Sequence, residues 1–96
     1  MFDKMKDLME MKKQADRIKK ELDTSLIEVS DVRGIKIVIN GSQNFQSIAI
    51  DEALISVDNK ARFEGDLLKA VNGAIRKSQE VAAKKMKSVM AGFPGM

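Results

Sequence analysis

The stretch ARFEGDLLKAVNGAIRKSQEVAAKKMKSVMA, residues 61–91, decides the architecture. It holds no proline, and Phe63, Leu67, Val71, Ala74, Ile75, Ala82, Met86 and Val89 recur at steps of three, four and seven. That spacing predicts one helix over residues 60–91, about 30 residues and roughly 45 Å long. The apolar runs before it are strand-sized and would span only about 20 Å each. Half of the helix's apolar stripe therefore overhangs any sheet this chain can build and must be covered by something else. The overhanging end carries Arg76, Lys77, Lys84, Lys85 and Lys87 against a single acid, Glu80.

Three strands are predicted upstream, at 26–30, 35–40 and 45–50. Ile35, Ile37 and Ile39 alternate with Lys36 and Asn40, and Ile48 and Ile50 share a face of the third run. Asp31-Val32-Arg33-Gly34 links the first two runs. Asn40-Gly41-Ser42-Gln43-Asn44 is a hairpin signal, because Asn and Gly tolerate the positive φ that tight turns need. The economical topology is an antiparallel meander. Residues 51–59 connect it to the long helix, with one short turn around Glu52 to Ile55 and Asp58 or Asn59 as the helix cap. Gly65 and Gly73 each weaken the helix by about 1 kcal/mol relative to alanine, so close packing against a neighbouring backbone is their expected use. Residues 92–96 read as a flexible tail.

Residues 2–23 form a first helix. Leu8, Met11, Ala15, Ile18 and Leu22 make a seam in steps of three and four, suited to packing along a second helix. Lys6, Lys13, Lys20 and Arg17 line the opposite side as a solvated face. The order helix, three strands, long helix defines a single α+β domain over residues 1–91.

Several chemistries are excluded by composition. The chain has no His, Cys, Tyr or Trp, which removes imidazole bases, thiolate nucleophiles and His/Cys metal ligation. No glycine-rich phosphate loop is present. Asp51, Glu52 and Asp58 lack the ligand spacing of a cation loop and read as ordinary loop acids. No enzyme activity, cofactor, metal or small-molecule substrate is expected. Charges at Asp3, Lys4, Lys6 and Asp7 interrupt any signal-like start, and no run approaches a membrane span, so the expected setting is cytoplasmic and away from membranes.

Charge is distributed unevenly. Residues 24–59 hold two Lys/Arg against five Asp/Glu, whereas residues 60–96 hold eight against three. A basic helix points to an anionic partner. At 100° per residue Lys69, Arg76, Lys77, Lys84 and Lys87 fall within an arc of about 100°, with Lys85 outside it. Long lysines without interleaved aromatics suit duplex phosphates, which attract without reading sequence. If the two helices run antiparallel on one sheet, Lys4 and Lys6 join Lys84, Lys85 and Lys87 at one tip. A homodimer would present two such tips, with Leu8, Met11, Ala15, Ile18, Leu22, Val71, Ile75, Ala82 and Met86 packing the arms or the dimer. The second reading is a non-catalytic protein-interaction adaptor, in which Met5, Met9 and Met11 of the first helix receive a partner helix.

With these elements placed, the chain resembles the YbaB/EbfC family of small bacterial nucleoid-associated proteins. The resemblance is carried by the Met/Lys/Gln-rich first helix after Met1-Phe2, by Lys36-Ile37-Val38-Ile39-Asn40-Gly41, and by Ile48-Ala49-Ile50-Asp51. Ala70-Val71-Asn72-Gly73-Ala74 and a Gly/Pro/Met tail complete it. It implies a tweezer-shaped homodimer whose helical arms bind duplex DNA in the nucleoid with low sequence preference, altering DNA conformation and, through it, gene expression. The chain departs from the family pattern in a shorter, glycine-poor turn at Gly34 and in Glu52 where proline is common. Gln46 and Ser47 replace third-strand arginines, so no DNA contact is carried onto that strand.

Overall fold

A computed structural model describes residues 2–90, so the expected tail at 92–96 lies outside it. The elements run α1 (Phe2–Thr24), β1 (Leu26–Val32), β2 (Ile35–Asn40), β3 (Phe45–Ile50) and α2 (Lys60–Met90). Two 3-10 turns, Glu52–Leu54 and Val57–Asn59, precede α2. The strands form one antiparallel sheet in the order β1-β2-β3, the expected α+β meander.

The alternation in the sequence sets which face is covered. Val29, Ile37 and Ile48 lie in one cross-strand row. Val29, Ile35, Ile37 and Ile39 are buried against Ala70 and Ala74 of α2. Small residues at 70 and 74 let the helix approach the sheet, while Phe63, Leu67, Val71 and Ile75 flank that line of contact. β1 is longer than expected. One extra residue between Val29 and Val32 bulges the strand, so Val32 regains the core face opposite Ile35. The link shrinks to Arg33-Gly34, with Gly34 at φ +87°. A second bulge in β3 sets Ile39 opposite Phe45 and returns Phe45 to the face of Ile48.

Two local expectations are corrected. In the β2–β3 turn the positive φ falls on Gln43, at 64°, rather than on Asn40 or Gly41. Gly41 is needed for space instead: a Cβ there would lie 3.1 Å from the Leu22 carbonyl oxygen and 3.2 Å from its Cα. Ahead of α2, the 3-10 turn Val57–Asn59 is capped by Ser56, whose hydroxyl accepts from the Asn59 N–H at 3.1 Å, while the side-chain amide of Asn59, the residue before α2, donates to the Leu54 carbonyl at 2.8 Å. Gly65 has open space where a Cβ would sit, and Gly73 faces the Asp31 carboxylate at 3.4 Å, so neither meets a neighbouring backbone.

α1 is attached near its C-terminal end. The Gly41 N–H donates to the Leu22 carbonyl at 2.9 Å and to the Ser25 carbonyl at 3.1 Å. Asn40, itself buried, ties the junction together. Its Nδ2 donates to the Asp23 carbonyl at 3.2 Å, and its Oδ1 accepts from the N–H groups of Ser42 and Asn44. Its carbonyl accepts from the buried Ser78 hydroxyl at 2.8 Å. One side chain and its own carbonyl thus bind α1, the hairpin and α2. The molecule extends 68 × 20 × 15 Å.

Candidate nucleic-acid interface

The basic end of α2 begins where the sheet stops. Ser78 sits over Asn40, the last residue of β2, so residues 79–90 project past the strand by about 18 Å. α1 covers part of that overhang. Its Ile18 is only 4% exposed and Leu22 is half-buried.

The structure separates the three lysines expected to act together. Lys84 and Lys87 are exposed. Lys85 turns inward and bonds Glu21 of α1 at 3.0 Å, in keeping with its place outside the basic arc. Lys77 is held 3.5 Å from Asp31 of β1, and Arg76 is exposed beside it. Both pairs are about half exposed, so each contributes under about 1 kcal/mol. Their larger effect is on availability: a paired lysine must exchange a carboxylate for a phosphate, whereas an unpaired one exchanges only solvent ions. Among the described residues no salt bridge involves Lys84 or Lys87.

Lys4 and Lys6 do not reach this tip. The Lys85–Glu21 pair fixes the register, and Lys6 and Lys4 lie 15 and 17 residues further along α1, or about 22 and 25 Å at 1.5 Å per residue. Attachment through Leu22 and Gly41 leaves α1 overlapping α2 by its last turns alone. The expected seam is therefore divided within one chain. Ile18 and Leu22 pack, whereas Leu8, Met11 and Ala15 are exposed. On α2, Val71, Ile75 and Ala82 are half-buried and Met86 is exposed.

An apolar surface borders the sheet on the far side from Asp31. α2 lies over β1 and β2, which leaves Phe45 42% and Ile48 47% exposed on the core face of β3. Leu68, 64% exposed, and Ile75 lie about 160–180° around α2 from Lys77. Lys77 marks the β1 side, so Leu68 and Ile75 flank β3.

Sequence reasoning missed the Asn40–Ser78 junction. Asn40 was legible as a turn residue, but Ser78 gave one available signal: a hydroxyl placed on the apolar stripe of α2 must find a partner when buried. Among the described residues no three His, Cys, Asp or Glu side chains gather as a metal site, and no helix is long and apolar enough to cross a membrane. Asp51 instead caps a 3-10 turn, accepting from the Ala53 N–H at 3.1 Å.

The fold is a small α+β domain whose long C-terminal helix carries basic side chains past the end of the sheet. The family model that matches residues 1–93 is the YbaB/EbfC DNA-binding family, and the chain belongs to it. A nucleoid-associated protein of Ruminiclostridium cellulolyticum is 32% identical over 96 residues, covering 96% of this chain and 84% of that one. One from Dictyoglomus thermophilum is 29% identical over 94 residues, covering 97% and 90%. The fold matches a crystal structure of an uncharacterized protein from Helicobacter pylori with a TM-score of 0.78 and 16% identity, covering 94% of this chain and 97% of that one.

Proposed function

We propose that this chain is a homodimeric nucleoid protein that binds duplex DNA through phosphate contacts from its α2 ends, with low sequence specificity and without catalysis. The observation that carries the proposal is the overhang of α2, whose Lys84 and Lys87 stand exposed and, among the described residues, in no salt bridge. Arg76 continues the same face toward the sheet. Lys77 and Lys85 join once phosphate displaces Asp31 and Glu21, and Lys4 and Lys6 add a separate basic segment on the arm. Lysines without neighbouring aromatics supply attraction and no base readout.

The homodimer is supported by Phe45, Ile48, Leu68 and Ile75. They form an apolar surface on one flank of a chain whose sheet is covered by one helix alone. Self-pairing over this flank would bury the surface and leave the basic ends of both protomers projecting, as tweezer arms require. Bound in this way, the dimer would alter DNA conformation by holding two backbone segments at a fixed separation.

Two measurements test the reading. Sedimentation of the wild-type chain should give a dimer, and Ile48→Asp should give a folded monomer. In a gel-shift assay Lys84→Glu/Lys87→Glu should weaken binding to unrelated duplexes alike, with the dimer intact. Unchanged affinity, or loss confined to one sequence, would overturn the phosphate assignment.

A further inference from the structure

The dimer surface leaves a second apolar surface uncovered. Leu8 lies 14 residues before Leu22 on α1, about 21 Å beyond the hairpin junction. Every described side chain from Lys4 to Lys13 is exposed. Within that segment Met5 is 68%, Leu8 66% and Met11 39% exposed. At 100° per residue these three fall within about 120° of one another, together with Ala15, and they continue the seam that α2 covers at Ile18 and Leu22. The arm is thus a solvent-facing continuation of a packed seam.

We propose that this arm pairs with the same arm of a second copy, in parallel, and so links neighbouring dimers on DNA. The charges beside the seam choose the partner and its direction. With Leu8, Ala15 and Leu22 as one set of heptad seam positions and Met11 and Ile18 as the other, Lys12 and Lys19 flank one side and Asp7, Gln14 and Glu21 the other. In a parallel pair Asp7 of each arm lies against Lys12 of its neighbour, while Lys4, at the seam position seven residues before Met11, faces its own copy and α2 covers Ile18, which confines the pairing to Leu8 through Ala15. An antiparallel pair with Leu8 opposite Met11 sets Asp7 against Gln14 and Met5 against Lys12, with no ion pair gained. One sequence therefore complements itself in the parallel register.

Its length determines when pairing occurs. About one heptad of exposed seam, Leu8 to Ala15, is too short to hold free arms together at micromolar concentration. Dimers side by side on one duplex see each other's arms at an effective concentration on the order of millimolar. The arm and the β3 flank are two different isologous surfaces, and a protomer with two such surfaces builds chains of dimers. The DNA-bound protein should then assemble cooperatively. This inference rests on the dimer and DNA reading above, but the pairing itself can be measured without DNA.

The chain has no cysteine, so a single introduced thiol reports the register. In a parallel pair Leu8→Cys lies opposite its own copy, within reach of a disulfide. Under mild oxidation Leu8→Cys should cross-link at least about tenfold faster than Lys13→Cys, which is exposed on the far side of the helix, both in concentrated free protein and at lower concentration on long duplex. Equal rates for the two variants in both settings would overturn the pairing. Mixed adducts of Leu8→Cys with Met11→Cys that form faster than either single adduct would overturn the parallel direction. Leu8→Ser should abolish cooperative binding to long duplex while changing affinity for a duplex that holds one dimer by less than about twofold. Cooperativity that survives this change would also overturn the proposal. Loss of binding to the short duplex by wild-type protein would instead count against the DNA reading, with the cross-linking result standing on its own.

Discussion

Replacing Lys84 and Lys87 by glutamine should change the salt dependence of DNA binding, and the size of the change follows from which lysines are paired. Among the described residues Lys84 and Lys87 make no salt bridge, whereas Lys85 holds Glu21 at 3.0 Å and Lys77 holds Asp31 at 3.5 Å. Two unpaired lysines on each of two protomers make four phosphate contacts, so the slope of log affinity against log salt should become shallower by about 0.9 × 4, or roughly 3.6. A fourfold rise in salt, from about 50 to about 200 mM, should therefore cost the wild type roughly 150-fold more affinity than it costs the double variant. Lys85→Gln should move the slope little, because Lys85 exchanges one anionic partner for another and releases few counterions. The assay is a fluorescence-anisotropy titration on one duplex at several salt concentrations, run alongside an unrelated duplex of equal length. An unchanged slope in the double variant, or an equal loss in Lys85→Gln, would refute the division into free and paired lysines.

Three stability predictions test the fold that holds those lysines. Gly41→Ala should destabilise by about 1–3 kcal/mol in urea unfolding, because the new methyl meets the backbone of Leu22 at 3.1–3.2 Å and that backbone is anchored. Gly65→Ala adds a methyl into open space and should raise helix stability by up to about 1 kcal/mol, read as a rise in Tm of several degrees. Ser78→Ala should cost about 1 kcal/mol and no more in thermal unfolding, since the Asn40 carbonyl retains the Gln43 N–H at 3.2 Å.

The order of elements and most of their limits were legible because each carries its own period. The alternation Ile35, Ile37, Ile39 fixes the buried face of β2, and β3 begins at Phe45 and ends at Ile50 as its flanking turn residues indicate. β1 was read two residues short, because Asp31 beside Gly34 looks like a turn and a bulge is invisible to a period of two. The lysine arc was equally legible from helical spacing, including the exclusion of Lys85. Its acidic partners were not, since Glu21 is 64 residues away in sequence and the pair depends on where α1 docks. That docking is set by the absence of a side chain at Gly41 and by the Asn40 amide, neither of which leaves a periodic trace. For the same reason Lys4 and Lys6 were assigned to the α2 tip, when the register carries them past it.

The junction at Asn40 also bears on the chemical lifetime of the chain. Asn followed by Gly is the dipeptide most prone to lose its amide, because the next backbone nitrogen attacks the side-chain carbonyl through a five-membered ring. Here that nitrogen, Gly41 N, is engaged with the Leu22 and Ser25 carbonyls, and the Asn40 amide is held at both ends. The contacts that seat the two helices on the sheet therefore also keep the nucleophile away from its target. Folded protein is shielded from this ageing reaction at the Asn40 junction, and chain that spends time unfolded is not.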